Sequence, residues 1–149
     1  MTETEKAYIA GIMDGEGHMS IQYQKAYISK NGHHGASYKA TIAITGTHKP
    51  MLEWVQARIG GKLYAKKNGM PDGRWKDNWQ LVITRKDDVL AVLDLLEPYL
   101  IIKASHVFWL RKFLSRELYT RHSPVVQECY EAVKRLNIRG ISRYQLTLC

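Results

Sequence analysis

The chain has 149 residues, of which 45% are hydrophobic, so the sequence predicts one globular domain over residues 1–149 and argues against a disordered chain. Twenty-two Lys and Arg residues against fourteen Asp and Glu residues leave a formal charge of +8; nucleic acid, an anionic membrane surface or mere solubility would each account for it. The sequence contains no apolar run long enough to cross a membrane and no signal segment, so we expect a soluble, intracellular protein of the cytoplasm or an organellar matrix.

Local patterns predict five helices and four strands. A capping box formed by Thr2 and Glu5 opens the first helix, which ends near Gly15. From Met19 onward the apolar residues alternate with polar ones, as in a strand with one buried face. The predicted elements are a helix over about 2–15, strands over 19–24 and 37–44, a helix over 50–59, strands over 62–67 and 78–84, and helices over 86–97, 105–118 and 124–136. This order predicts an α+β fold with a four-stranded antiparallel sheet.

One face of the predicted sheet is polar and carries no acidic residue at its strand positions. Gln, Lys, Ser and Thr side chains can bond base edges and phosphates, so this face is either a nucleic-acid contact surface or a plain solvated face. A strand of about a dozen residues spans ~40 Å, which matches ~11 base pairs of duplex. The residues of this face are Ser20, Gln22, Gln24, Ser37, Lys39, Thr41, Lys62, Tyr64, Lys66 and Gln80.

Two acidic residues, Asp14 and Glu16, lie where the first helix meets the first strand. A carboxylate beside a polyanion weakens binding, so its presence there needs a reason. A divalent cation such as Mg²⁺ or Mn²⁺ would use carboxylate oxygens together with substrate phosphates, and it could activate water for phosphodiester cleavage. The alternative is that both acids hold backbone amides in a turn.

Residues 9–17, with the sequence IAGIMDGEG, resemble the LAGLIDADG motif in the type of residue at each position. The strand that follows is also similar to LAGLIDADG homing endonucleases, as are the segment MLEWVQARIGG before the second hairpin and the segment LEPYLIIK near residue 100. The similarity covers about the first 118 residues. It implies an intron-encoded, site-specific DNA endonuclease of αββαββα fold, in which the sheet forms a DNA-binding saddle, with additional C-terminal helices in this chain.

The resemblance also implies roles for individual residues. Glu16 corresponds to the catalytic acid that binds Mg²⁺ or another divalent cation, and the backbone carbonyl of Gly15 would add a metal ligand. Asp14 corresponds to an acid that is chiefly structural at the helix end. Lys103 corresponds to a lysine that organises active-site water or offsets developing charge.

The chain departs from the family pattern at two positions. Glu16 stands where Asp is commoner, although Glu also occurs in active members. Ile44 stands where some members have Gln at the end of the second strand, with Thr41 and Thr45 nearby. The rest of the active-site polar network is therefore left open.

The family needs two motif helices for one complete site, and this chain has one. The resemblance therefore implies a homodimer that cuts both strands of a near-palindromic site of roughly 22 base pairs and leaves short 3′ overhangs. Small residues in the motif helix would let two copies approach closely. The interface residues expected from the motif are Ile9, Ala10, Gly11, Ile12 and Met13.

Two other functions remain open at this point. The first is a non-cleaving binder of the same fold, either an intron maturase with RNA as its partner or a DNA-binding regulator. The second is a basic interaction module without a site, which would require the motif match to be chance. The acid retained at Glu16 favours the enzyme, because binders of this fold often lose it.

Overall fold

A computed structural model of the chain describes residues 1–66, 77–115 and 123–138. The predicted end of the third strand at Lys67 and the end of the fourth helix at residues 116–118 lie outside these ranges. The elements are α1 (Glu3–Glu16), β1 (Gly17–Gln24), β2 (Tyr27–Ser29), β3 (Gly32–His34), β4 (Ser37–Gly46), α2 (Lys49–Ile59), β5 (Lys62–Lys66), β6 (Asn78–Ile83), α3 (Lys86–Leu96), α4 (Ala104–Leu114) and α5 (Pro124–Leu136), with a 3-10 turn at Glu97–Tyr99 after α3.

Four of the strands form one antiparallel sheet in the order β1-β4-β6-β5. The β1–β4 register runs from Gly17 opposite Ile44 to Gln24 opposite Ser37. Helix α2 then carries the chain to the edge strand β5, and β6 returns between β5 and β4. The predicted α+β class and four-stranded antiparallel sheet are confirmed. Between the predicted strands 19–24 and 37–44, the tip of the first hairpin forms a small two-stranded ribbon from β2 and β3.

The helices pack on one face of the sheet and leave the other face open. The core combines apolar residues of the helices with alternate residues of the strands, such as Met19, Ile42 and Leu81. Tyr23, which continues the buried alternation of β1, is nevertheless 46% exposed, and its ring packs on that of Tyr38 with 5.0 Å between the ring centroids. Within the described ranges, no helix is both long and apolar enough to cross a membrane.

The start of α1 has the predicted capping box and is also tied to α2. The backbone N–H of Thr2 donates to Glu5 Oε2 at 2.9 Å, and the N–H of Glu5 donates to Thr2 Oγ1 at 3.2 Å. Arg58 donates to the same carboxylate at 3.0 and 2.8 Å while its guanidinium lies 3.7 Å from the ring centroid of Trp54. The Thr2 hydrogen bond and Arg58 lower the pKa of Glu5. Glu5 therefore fixes both the start of α1 and its position beside α2.

Helix α1 passes into β1 without an intervening loop, and Gly17 permits this junction. Its backbone is extended, so the requirement is one of space: a Cβ there would contact Met13 Sδ, lie 2.5 Å from the Met13 carbonyl oxygen and 2.9 Å from Met13 Cα. Two of these atoms belong to the backbone and cannot rotate away. The last position of the motif therefore requires glycine.

Gly17→Ala should lower the free energy of unfolding by about 1–3 kcal/mol, because the added methyl group overpacks a fixed backbone. Gly15→Ala is the matched control, since a Cβ there meets nothing within 4 Å. At a protein concentration that keeps the chain monomeric, it should instead raise the stability by about 0.5–1 kcal/mol through helix propensity. Urea unfolding of both variants measures the difference, and equal stabilities would show that the junction relaxes around the methyl group.

Candidate active site and nucleic-acid interface

The carboxylate of Asp14, at the end of α1, is fully engaged with a loop that lies 87 residues further along the chain. Its Oδ2 accepts the backbone N–H groups of Ile101 at 2.8 Å and Ile102 at 3.2 Å, and its Oδ1 accepts that of Lys103 at 3.0 Å. An anionic acceptor strengthens each of these bonds. Asp14 thus fixes the segment that precedes α4 against the end of α1.

The side chain of Lys103 is buried, with 6% of its surface exposed, and its ammonium group also lies at the end of α1. The Nζ atom donates to the backbone carbonyl of Asp14 at 2.8 Å. The last turn of α1 contains no basic residue of its own. Lys103 therefore supplies a positive charge at the negative end of the helix dipole, where a cation is stabilised.

Glu16, the last residue of α1, has an exposed side chain, in contrast to the engaged carboxylate of Asp14. The carbonyl of Gly15 belongs to the last turn of the helix, where carbonyls lack an intrahelical donor. A carboxylate and a carbonyl are the oxygen donors that a hard divalent cation prefers, and the helix end adds negative potential. This donor set fits Mg²⁺ or Mn²⁺. In the three described ranges there is no cluster of three or more His, Cys, Asp or Glu side chains able to hold a metal ion.

The open face of the sheet carries all ten polar residues that the sequence assigns to it. Side chains of paired residues point the same way, and the observed pairs include Ser20 with Thr41, Gln22 with Lys39, and Tyr64 with Gln80. The lysines of this face are Lys39, Lys62 and Lys66. Among the described strand residues of this face there is no Asp or Glu. The face is therefore positively charged and rich in hydrogen-bonding groups.

Two of the ten residues, Ser20 and Thr41, are almost covered. They are paired across β1 and β4, with 8% and 4% of their surface exposed, and neither hydroxyl has a hydrogen-bond partner in the described part of the chain. Their neighbours in the adjacent pair are the longer side chains of Gln22 and Lys39. Gln22 and Lys39 are exposed, so the accessible surface at this point of the face comes from the longer side chains and not from the two hydroxyls.

The same face includes His18, Thr45 and Asn78, which the sequence interpretation missed. His18 pairs with Ala43, Thr45 with Gln80, and Asn78 with Lys66. Extending the alternation by one step beyond two predicted strand ends would have identified His18 and Thr45, and Asn78 lies inside the predicted strand 78–84, two residues before Gln80. Partial burial, and then the charge of Lys103, lower the pKa of His18. Both effects favour the neutral imidazole, and the second places His18 within the electrostatic reach of Lys103.

The β2–β3 ribbon extends the β1–β4 hairpin beyond the four-stranded sheet. Its Tyr27 and His34 rings stack with centroids 4.5 Å apart, and Ser29 Oγ lies 2.8 Å from His34 Nε2. Gly32 has a φ of 117°, which favours glycine at the tight turn. These contacts stiffen an otherwise exposed tip, so the ribbon is a preformed projection at the end of the polar face.

The exposed side of α1 differs from the interface that the motif suggests. Ile9, Ala10 and Met13 are fully buried in the core of their own chain, so they have no surface to offer to a second copy, and the expectation for these three is corrected. Gly11 is exposed and Ile12 is half-buried. The residues that recur at helical spacing on the exposed side are Thr4, Tyr8, Gly11 and Gly15.

The family model described as LAGLIDADG endonuclease matches residues 9–111, which is more than half of the chain. That range begins with the first residue of the motif and includes the sheet, Asp14, Glu16 and Lys103. A search of curated protein sequences gives no match.

Solved structures with a similar fold include two chains of nearly the same length. The archaeal intron-encoded homing endonuclease I-Vdi141I, complexed with DNA, has a TM-score of 0.71 at 16% identity, with 98% of this chain and 92% of that chain covered. The homing endonuclease I-CvuI, also bound to DNA, has a TM-score of 0.70 at 17% identity, with 99% and 92% covered. A third, I-SmaMI bound to cleaved DNA, has a TM-score of 0.63 at 20% identity, and only 46% of its longer chain is covered.

Proposed function

Because the chain belongs to the LAGLIDADG endonuclease family, we propose that it is a homing endonuclease that cuts both strands of one long, near-palindromic DNA site. The observation that carries this proposal is the difference in environment between the two acids of the motif. Asp14 is engaged by three backbone N–H groups, whereas Glu16 is exposed at the edge of a basic, polar sheet face. A chain that used this fold only for binding would have no need of the second acid.

In this proposal each residue of the site has one task. Glu16 and the Gly15 carbonyl would hold a divalent cation, Mg²⁺ or Mn²⁺, at the end of α1. When bound, such an ion activates water and stabilises the leaving oxygen. Lys103 stays fixed by the Asp14 carbonyl and offsets the negative charge that gathers beside Glu16. Asp14 holds the loop that carries this lysine.

The open face would bind the duplex. Its lysines Lys39, Lys62 and Lys66 would neutralise phosphates, and its glutamines Gln22, Gln24 and Gln80 would reach base edges in the major groove. Strand β4 has ten residues and therefore spans ~33 Å, or about 10 base pairs. I-Vdi141I and I-CvuI, which share the fold, were both solved with DNA, and this supports the duplex as substrate.

Two copies of the chain would form the complete enzyme. The sequence has one motif, and the chain covers 92% of I-Vdi141I but only 46% of I-SmaMI. A two-fold dimer built on the exposed side of α1 would bring two Glu16 residues together, one for each DNA strand. Symmetry then requires two related half-sites, and two faces of about 10 base pairs each give a target of roughly 20.

A cleavage selection tests the proposal. The purified chain is incubated with a randomised duplex library in Mg²⁺, and both the cut ends and the bound, uncut duplexes are sequenced, with an EDTA sample as the control. We expect one near-palindromic sequence with staggered cuts that leave short 3′ overhangs, and no cleavage in EDTA. Sequences that are bound and enriched but never cut would contradict the endonuclease and favour a maturase or a DNA-binding regulator.

Gly11→Leu should separate the dimer without unfolding the chain. A Cβ at Gly11 meets nothing within 4 Å in its own chain, so a leucine there collides only with a second copy. We expect the sedimentation coefficient to fall to that of a monomer and cleavage to be lost. Ala91→Leu, at an exposed position of α3, is the control and should stay dimeric. A Gly11→Leu protein that remains a dimer would remove this side of α1 from the interface.

A further inference from the structure

The side chain of Gln80 is held in place on the open face. Its Nε2 donates to Thr45 Oγ1 at 3.3 Å across the β4–β6 pair. Of the ten predicted contact residues, Gln80 alone has a side-chain hydrogen bond within residues 1–66, 77–115 and 123–138. On its other side it pairs with Tyr64, which is 51% exposed. A long polar side chain that would otherwise sample many rotamers is therefore confined between two neighbours.

Gln80 also lies near the candidate cleavage site. Gly17 comes directly after Glu16 in the sequence and is paired with Ile44 across β1 and β4. Thr45 comes directly after Ile44. Thr45 is therefore next to the end of α1, and Gln80 lies one strand beyond it. Two strand spacings amount to ~10 Å, so Gln80 faces the part of a bound duplex that is close to the cut rather than its outer end.

We propose that Gln80, positioned by Thr45, selects adenine at one base pair near the cut in each half-site. The inference rests on the proposed function, because it requires a duplex on this face. One N–H of the amide is engaged by Thr45, which leaves the carbonyl oxygen and the other N–H for the ligand. Adenine offers a donor at N6 and an acceptor at N7 in the major groove, which match this pair. Guanine offers two acceptors and thymine an acceptor beside a methyl group, so neither matches it.

Thr45 is a positioning residue in this arrangement, because it acts through Gln80 and not on the base. Without its hydroxyl the glutamine would regain rotamer freedom and would have to lose it again on binding, at a cost in conformational entropy. Thr45→Val removes the acceptor while keeping the shape and the β-branched character that suits a strand. Thr45→Ser keeps the acceptor. The two variants therefore separate the hydrogen bond from packing.

The experiment is a binding selection from a randomised duplex library with the full chain, in which the bound sequences are read at every position. Wild type is expected to prefer adenine roughly tenfold or more at one symmetry-related pair of positions. Gln80→Leu should remove this preference only there, and Gln80→Arg should convert it to guanine, which arginine contacts through O6 and N7. Thr45→Val should weaken the preference several-fold, and Thr45→Ser should retain it.

The outcomes distinguish this inference from the proposed function. A wild-type chain that enriches no sequence would overturn the proposed function, and this inference with it. A defined target whose base preferences are the same in Gln80→Leu would overturn the inference alone. Unchanged preferences in Thr45→Val would overturn the positioning role of Thr45. A loss of thermal stability in Thr45→Val without a change in base preference would assign the hydrogen bond to folding and overturn that role as well.

Discussion

Replacing Glu16 with glutamine is expected to lower the rate of DNA cleavage by roughly 1000-fold or more while leaving DNA affinity within a few-fold of wild type. The amide has nearly the shape of the carboxylate but lacks the charge that holds a divalent cation at the end of α1. Removing a negative charge beside the phosphates does not weaken their binding. Single-turnover cleavage and a gel-shift titration of the same target measure the two effects separately.

Two controls make the Glu16 result specific. Glu16→Asp introduces the commoner acid of the family and should retain measurable cleavage, because a shorter carboxylate can still bind the metal. Glu3→Gln removes an exposed glutamate at the opposite end of α1, where its partner is Lys6, and should cleave like wild type. If Glu16→Gln cuts at the wild-type rate, Glu16 has no part in the reaction.

Local sequence patterns predicted the parts of the fold that depend on neighbouring residues. The capping box at Thr2 and Glu5 is present because both hydrogen bonds lie within one turn. The ten polar residues share one face because the two-residue period of a strand fixes the direction of each side chain. The strand order β1-β4-β6-β5 agrees with two hairpins joined by a helix.

Contacts between distant segments were not predictable in the same way. The motif identifies which residues of α1 are small or apolar, but only the packed structure shows that Ile9, Ala10 and Met13 face the core and Gly11 faces outward. The bonds of Asp14 to Ile101, Ile102 and Lys103 join segments 87 to 89 residues apart. No pattern in either segment specifies the partner.

The polar residues near the candidate cleavage site, which the family resemblance left unassigned, could be identified only from the structure. Ile44, at the position where some members of the family have glutamine, is 1% exposed and belongs to the core. The next residue, Thr45, lies on the open face and binds Gln80 from another strand. A one-residue step along β4 reverses the direction of the side chain. A match to the family by sequence alone therefore selects Ile44, which faces the core, whereas the polar residue on the open face is Thr45.

Asp14→Asn is expected to lower the free energy of unfolding by about 1.5–3 kcal/mol and to slow cleavage. The carboxylate accepts three backbone N–H groups with two oxygens, the bond from Lys103 being partly buried and those from Ile101 and Ile102 exposed. Because solvent weakens the exposed bonds, the three together contribute about as much as one well-protected hydrogen bond to a charged acceptor, about 1.5–3 kcal/mol. The side chain of asparagine keeps one acceptor oxygen, but its NH₂ group is a donor and would face backbone N–H groups that are donors themselves. The loop before α4 then loosens, and Lys103 moves with it.

Urea unfolding and single-turnover cleavage of Asp14→Asn and Glu16→Gln, measured side by side, separate the two acids. Glu16 is exposed, so its glutamine variant should unfold like wild type and yet fail to cut. Asp14→Asn should lose stability and, well below its own unfolding transition, retain part of the cleavage activity. If Asp14→Asn keeps wild-type stability, the loop is held by other contacts. If it is stable and wholly inactive, Asp14 acts in the reaction itself, and the assignment of the two acids to separate tasks is wrong.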